Sequence, residues 1–291
     1  MGASQLGPGN HLTIQKEPSQ LIAIRPIALV CVSLATLVGC TAQIGEIQND
    51  APELDEFETE MSSQGLTTNN GLNTINGLNT SNGLNTMNGL YTSNGLNTTN
   101  GLRDGVGLMA SSAGRATLSY LVKCALPAGK RITKKDQNGT THTFNGAVGV
   151  APAWETGACN DQCQRWISAC MLAHINTAGT PLPIWVVANP AKQPHIGWAR
   201  SSTYPNQEGS FFGNIFTSPP RAYYCGGRNI NAAAVAGRLG AGSSGAPYTN
   251  PWGNDMCEGH CTNSDSPYTQ SGYKVCNGND AVITVWRKAS Y

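Results

Sequence analysis

The sequence lacks the features that define several large functional classes. It has no uninterrupted apolar run of about 20 residues, the length that a helix needs to cross a bilayer. It also has no Walker phosphate loop, no dinucleotide-binding glycine fingerprint after a strand and no nucleic-acid-binding module. We therefore expect neither a nucleotide-dependent enzyme nor a nucleic-acid-binding protein, and we expect no cofactor.

Basic residues are missing from residues 41–102, which hold seven acidic residues: Glu46, Asp50, Glu53, Asp55, Glu56, Glu58 and Glu60. Residues 103–291 contain sixteen Lys or Arg against nine Asp or Glu, a net charge of +7. The chain thus joins an acidic arm to a basic domain. Such a domain suits an anionic partner such as surface polysaccharide or lipid head groups, or another envelope protein. An ordinary solvated surface is the simpler alternative, because most of the basic residues are scattered.

Cysteines are absent between residues 41 and 123, and eight follow: Cys124, Cys159, Cys163, Cys170, Cys225, Cys257, Cys261 and Cys276. An even number in an exported chain predicts four disulfides and leaves their pairing open. The spacing Cys257-Glu258-Gly259-His260-Cys261 has residue types that bind zinc. Because oxidation is favoured outside the cytoplasm, we predict disulfides and no metal.

A short apolar segment of thirteen residues, 27–39, follows Lys16 and Arg25 and ends at Leu37-Val38-Gly39-Cys40. A positive region, an apolar segment and a small-residue exit site are typical of a secretory signal. A cysteine directly after the small residue resembles the bacterial lipoprotein signal. That resemblance implies that residues 1–39 are removed, that Cys40 is acylated, and that the protein is an extracytoplasmic lipoprotein. Thr41 is not acidic, which favours the outer membrane or cell surface. The alternative is an ordinary signal peptide.

Two segments precede the globular domain, which we expect at 115–291. Residues 40–69 are acidic and poor in aromatics, so we predict a disordered tether. Residues 70–102 repeat Asn-Gly-Leu every six residues, with Leu at 72, 78, 84, 90, 96 and 102. A flexible spacer is favoured over a short β-solenoid, since so few repeats offer a thin core.

Alternation predicts a strand over Thr117–Leu126, and Asn138-Gly139 predicts the turn of a hairpin over Arg131–Phe144. Asn160 predicts the N-cap of a helix over Asp161–Thr177. Further strands are predicted at 183–188 and 281–286, with 189–280 mostly loop. The expected fold is α+β, a small antiparallel sheet with one main helix, long loops and about four disulfides.

Two kinds of candidate site follow. Glu208, paired with Glu155 or oriented with His174, has the residue types of a hydrolase acid–base pair. A buried structural histidine is the commoner role for His174. Separately, Trp198, Tyr204, Trp252 and Tyr248 lie in predicted loops and could together form a platform for sugar stacking. The alternative is that they pack beneath the loops as minor core.

Three segments resemble an uncharacterised group of cysteine-rich predicted lipoproteins from myxobacteria: residues 120–127 (YLVKCALP), residues 166–176 (WISACMLAHIN) and residues 208–214 (EGSFFGN). The Asn-Gly-Leu repeat also looks like that group. The resemblance implies a lipoprotein address and no activity. We therefore predict a cell-envelope lipoprotein with a binding domain of unassigned ligand, and a cell-envelope or polysaccharide hydrolase as the alternative.

Overall fold

A computed structural model describes residues 61–62, 65–70, 90–176, 182–228, 235, 238–239, 248–249, 256–262 and 272–289, with the backbone alone for 61–70 and 248. They all belong to one compact unit, residues 54–291. The elements in chain order are β1 (Met61–Ser62), β2 (Gly65–Asn70), α1 (Ser112–Ala125), β3 (Arg131–Lys135), β4 (Thr141–Asn145), α2 (Asp161–His174), β5 (Leu182–Ala188), β6 (Asn206–Asn214), β7 (Arg221–Gly226), β8 (Tyr248–Thr249), β9 (Cys261–Thr262), β10 (Val275–Cys276) and β11 (Ile283–Arg287).

The main sheet has the order β1-β2-β5-β11-β6-β7-β8 and is antiparallel except between β7 and β8. Two further pairs, β3–β4 and β9–β10, are also antiparallel. The α+β prediction with an antiparallel sheet is confirmed. None of the helices in the described part of the chain has the length and apolar character needed to span a membrane.

β6 and β7 lie in the region predicted as loop, so that prediction is wrong. Glycines inside β6 weaken its strand signal, yet one of them is required by packing. A Cβ placed on Gly209 would lie 2.5 Å from the carbonyl oxygen of Cys225 on β7. The two strands approach too closely there for any larger residue.

The strand predicted over Thr117–Leu126 is also wrong, because these residues belong to α1. The Ser111 hydroxyl caps this helix by accepting a hydrogen bond from the Gly114 amide at 3.1 Å. Its buried residues include Leu118, Leu121 and Val122, a spacing of three and four that matches a helix face. The apparent alternation arose because the helix is buried on most sides. Among the fully described elements there are therefore two main helices, α1 and α2, where one was predicted.

The predicted hairpin and second helix are confirmed. β3 and β4 pair in the expected register around the Asn138-Gly139 turn, where Gly139 has φ +82°. The Asn160 side chain accepts a hydrogen bond from the Cys163 amide at 2.9 Å, which caps α2. α2 ends at His174 and packs its buried face against β6 and β11.

The end of the repeat belongs to the domain core. Leu90, Leu96 and Leu102 are all fully buried in the main hydrophobic cluster. The Leu96 amide donates to the Trp154 carbonyl at 2.8 Å, and the Trp154 indole donates to the Asn94 carbonyl at 3.1 Å. The spacer interpretation is therefore wrong for residues 90–102, and 71–89 lie outside the described residues.

The predicted tether also overlaps the sheet. The backbone of β2 pairs with β5 from Leu66 opposite Val186 to Asn70 opposite Leu182. Residues 65–70 are therefore part of the main sheet. Of the rest of the predicted tether, only the two residues of β1 are described. Residues 40–60 and 63–64 lie outside the described residues.

Four disulfides join the eight cysteines, as predicted: Cys124–Cys170, Cys159–Cys163, Cys225–Cys257 and Cys261–Cys276. The first ties α1 to α2 inside the main core. The third and fourth lie together in a second buried cluster with Phe212 and Tyr273. These cross-links restrict the unfolded chain and so stabilise a domain with long connections.

Candidate functional site

Glu208 lies on β6 and is only 1% exposed. Its Oε1 is 2.9 Å from Nε of Arg238 and 3.6 Å from Nε of Arg287. Arg238 also donates to the carbonyls of Ala173 (3.3 Å) and Ile175 at the C-terminal end of α2. A cation at this end of a helix satisfies otherwise unpaired carbonyls and the helix dipole. Glu208 therefore helps to lock α2 onto the sheet.

Glu155 has a different environment. It is half-buried at the end of a short helical turn, and its Oε2 lies 3.0 Å from the ammonium of Lys130. Within the described part of the chain, no contact joins Glu155 to Glu208, and each carboxylate has its own cation. A hydrolase needs two carboxyl groups facing one open cleft. The geometry gives that interpretation little support.

His174 is fully buried at the last position of α2 and lies beside the Cys124–Cys170 bridge. Its Nδ1 donates to the carbonyl oxygen of Cys170 at 2.8 Å. Burial and the charge of Lys123 lower the pKa of His174 to about 3, and Arg238 contributes in the same direction. The imidazole is therefore neutral at ordinary pH and has the environment of a structural histidine.

Aromatic side chains gather on the face of the main sheet that points away from α2. In the β5–β11 register, Trp185 lies opposite Trp286, whereas the neighbouring pair of Val186 and Val285 belongs to the main core. Since side chains alternate along a strand, both tryptophans project away from α2. Tyr204 stacks on Trp185 with ring centroids 6.0 Å apart and planes 21° apart. These aromatic residues form a separate cluster with Val187.

Cations lie over these rings. Arg200 is 4.9 Å from the Trp286 ring centroid, and Lys288 is 5.8 Å from that of Tyr204. The loop that carries Arg200 also carries Trp198, whose ring has the Lys274 ammonium 5.6 Å from its centroid. Seven residues define what we call the aromatic–basic face: Trp185, Trp198, Arg200, Tyr204, Lys274, Trp286 and Lys288.

The aromatic–basic face carries positive charge that is not neutralised locally. Among the described residues, Arg200 and Lys288 make no ion pair with a carboxylate. Trp185 and Trp198 are half-buried, so part of each indole reaches the surface. Trp185 is held in place because its Nε1 donates to the Ala199 carbonyl at 2.9 Å. The indole rings can stack on the apolar face of a sugar ring, and the cations can attract an anionic group.

The structure brings together only part of the predicted aromatic platform. Trp198 and Tyr204 both belong to the aromatic–basic face, although Tyr204 is only 6% exposed and contributes mainly as packing. Only the backbone of Tyr248 is described, in β8, and Trp252 lies outside the described residues. The sequence did not single out Trp185 or the cations as site residues. Their signal was tertiary, because cross-strand register places them together.

Two cysteine groups have sulfur atoms close enough to suggest a metal site. One consists of Cys124, Cys170 and His174, and the other includes Cys225, Cys257 and Cys261. Metal binding requires thiolate sulfur. Every cysteine in both groups belongs to a disulfide. In the oxidised protein these atoms are therefore cross-links.

Comparison with known proteins identifies no relative: no family model, no curated protein and no solved structure matches the chain. We therefore infer function from the residues of the site itself.

Proposed function

We propose that this protein is an extracytoplasmic lipoprotein, anchored through Cys40, whose domain binds acidic polysaccharide through the aromatic–basic face. The observation that carries the proposal is that two cations with no carboxylate partner among the described residues lie on the same face of the sheet as two half-buried tryptophans. Arg200 and Lys288 supply charge, while Trp185 and Trp198 supply ring surface.

The aromatic rings and the cations select for an acidic sugar chain in different ways. An indole face packs against the C–H groups of a pyranose, which a free inorganic anion does not offer. The cations attract carboxylate or sulfate groups, an interaction that salt screens over about 10 Å at 0.1 M ionic strength. Their combination distinguishes an acidic polysaccharide from a neutral one. It also favours polysaccharide over a lipid surface, because the described rings are held within the fold and do not project as a membrane-inserting segment would.

The address is supported by two independent features. The sequence Leu37-Val38-Gly39-Cys40 fits a lipoprotein signal, and the four disulfides fit an oxidising compartment. One residue carries the attachment in this proposal. Replacing Cys40→Ser should therefore move the protein from the membrane fraction to the soluble fraction. A variant that still sediments with membranes would count against the anchor.

The binding proposal is tested with the full chain in detergent and two polymers, polygalacturonate and neutral dextran. The double variant Arg200→Gln/Lys288→Gln should weaken polygalacturonate binding about tenfold or more, because it removes both uncompensated charges. The matched control is Arg131→Gln/Lys135→Gln, which removes two exposed cations from β3. The control should bind within about twofold of the parent protein, a change of about 0.4 kcal/mol.

Two results would contradict the proposal. Equal affinity for dextran and polygalacturonate would remove the role of the cations. An equal loss in the control variant would show that net charge, and not the aromatic–basic face, determines binding. Trp198→Ala adds a third arm, since it should weaken binding without changing the slope of affinity against salt.

A further inference from the structure

A separate polar pocket lies where the N-terminal end of α2 meets the C-terminal end of β6 and the start of β7. Its volume is about 200 Å³. The side chains that matter for its chemistry are Asp161, Arg165, Arg221, Tyr223, Asn277 and Asn279. Pockets for drug-sized ligands span about 300–1,000 Å³, so this one suits a ligand near the size of a single sugar ring.

Local structure fixes the pocket walls. One wall is the Asn277-Gly278 turn, in which Cys276 and Asn279 exchange two backbone hydrogen bonds of 2.9 and 2.8 Å. Both central residues have positive φ, +49° and +70°, which is the geometry that an Asn-Gly hairpin turn requires. The disulfide from Cys276 to Cys261 ties this turn to β9. The wall is therefore held in place before any ligand binds.

The opposite wall is fixed by Asn214 at the end of β6. Its Nδ2 donates to Asp161 Oδ1 and to Gln164 Oε1, both at 3.1 Å, and its Oδ1 accepts from the Phe216 amide at 2.9 Å. These bonds use both amide donors of the side chain and one of its acceptor positions. Asn214 therefore positions α2 against the sheet and leaves ligand binding to its neighbours.

Two groups in the pocket retain donors for a ligand. Asn279 is only 9% exposed, and its Oδ1 accepts from the Ala281 amide at 2.9 Å. Its Nδ2 makes no hydrogen bond to any described residue. Arg221 likewise has neither an ion-pair nor a hydrogen-bond partner for its guanidinium within the described part of the chain. Asp161 is already paired with Arg165 at 2.6 Å, so the pocket has one uncompensated positive charge.

We propose that this pocket binds a small hydroxylated carboxylate, such as a single sugar acid. The Arg221 guanidinium matches a carboxylate, which it can bind with two parallel hydrogen bonds. The Nδ2 of Asn279 donates to a hydroxyl group, and the half-buried Tyr223 ring offers apolar surface to the ring of the ligand. The amide on the fixed turn selects the hydroxyl, and the guanidinium selects the charge.

The pocket is distinct from the aromatic–basic face. Trp286 of that face pairs with Gln207 near the start of β6, whereas Asn214 at the pocket ends the same strand. Seven residues of strand separate them, roughly 23 Å at about 3.3 Å per residue. The two proposals therefore stand or fall separately.

The test is a titration of the full chain with D-glucuronate and with D-glucose, followed through the side-chain amide NMR signals of Asn279. Glucuronate should shift these signals, and glucose should bind at least about tenfold more weakly, since it lacks the carboxylate. Arg221→Gln should reduce glucuronate affinity about tenfold. Asn279→Asp keeps the Oδ1 that holds Ala281 but removes the donor, and it should reduce affinity by at least as much.

Controls separate binding from folding and from the other site. Arg131→Gln removes an exposed cation from β3 and should keep glucuronate affinity within about twofold of the parent, about 0.4 kcal/mol. The Arg200→Gln/Lys288→Gln variant should do the same, whatever it does to polysaccharide binding. Equal shifts with glucose and glucuronate, no shift with either, or unchanged affinity in both pocket variants would overturn the proposal. Unaltered thermal unfolding of each variant confirms that folding is intact.

Discussion

Replacing Leu96→Ala tests whether the last repeats are part of the folded domain. Leu96 is fully buried in the main core, and its amide is bonded to the carbonyl of Trp154. The preceding Gly95 packs so closely that a Cβ there would lie 2.3 Å from the carbonyl carbon of Thr156. The wall around Leu96 therefore cannot easily collapse into the space that alanine leaves.

The expected loss follows from that confinement. Burying alanine in place of leucine costs about 2–5 kcal/mol of unfolding free energy, and the upper part of that range applies where the site cannot relax. A domain of this size loses roughly 2–4 °C of melting temperature for each kcal/mol. Differential scanning calorimetry should therefore show a decrease of about 4–20 °C.

Leu78→Ala is the matched comparison, because Leu78 occupies the same position in an earlier repeat. The spacer interpretation, which stays a prediction for residues 71–89, expects no change there. If Leu96→Ala melts within about 1 °C of the parent protein, well below the 4 °C that the smallest expected loss would cause, the assignment of residues 90–102 to the core is refuted. Equal losses at both positions would instead extend the folded region toward the N-terminus.

Three further predictions concern buried groups. The pKa of His174 is about 3 in the folded protein and about 6.5 in the unfolded chain, so between these values only the unfolded chain binds the proton. Between pH 6.5 and pH 5, above the range in which most carboxylates titrate, stability should therefore fall by up to about 1.4 kcal/mol per pH unit, and His174→Asn should remove that slope in denaturant titrations. Glu208→Gln should cost about 3–5 kcal/mol in the same assay, because it removes a buried carboxylate that pairs with the Arg238 guanidinium. In Cys276→Ser, the freed Cys261 thiolate lies 3.7 Å from the sulfur of Cys225 and should displace Cys257, so peptide mapping should find a Cys225–Cys261 bridge.

Each of these has a control within the chain. His260→Asn replaces an exposed histidine and is the comparison variant for His174→Asn. Glu155→Gln breaks a partly exposed ion pair and should cost less than about 1 kcal/mol. Cys163→Ser frees Cys159, and no re-paired peptide is expected. A persistent pH slope in His174→Asn, similar costs at Glu208 and Glu155, or an unpaired Cys261 in Cys276→Ser would contradict the respective prediction.

The sequence was informative where one local signal dominated. The Asn160 cap, the Asn138-Gly139 turn and the even cysteine number each led to a correct element, because each reflects chemistry within a few residues. α1 was misassigned because every second residue from Leu118 to Leu126 is apolar and buried, which mimics the alternation of a strand. β6 was missed because Gly209 serves a contact with a strand that is distant in sequence.

The candidate site was harder to predict, because its residues also come together through contacts between distant parts of the sequence. Trp198 and Tyr204 could be singled out as loop aromatics, but the pairing of Trp185 with Trp286 depends on strand register. Glu208 drew attention as a carboxylate among glycines and aromatics. Its partner Arg238 lies 30 residues away, and only the fold shows that the carboxylate is buried in an ion pair. Sequence spacing carries no information about such contacts.

The most direct test of the proposed function observes the tryptophan indole N–H signals by NMR while polygalacturonate is added to the full chain. The signals of Trp185 and Trp198 should shift on addition of the polymer and return toward their original positions at high salt. Trp154 provides an internal control, because it belongs to the main hydrophobic cluster and not to the aromatic–basic face. Its indole is buried and donates a hydrogen bond to the Asn94 carbonyl. Shifts confined to Trp185 and Trp198 are the predicted result. Unchanged signals for both, or an equal shift of Trp154, would contradict binding at the aromatic–basic face.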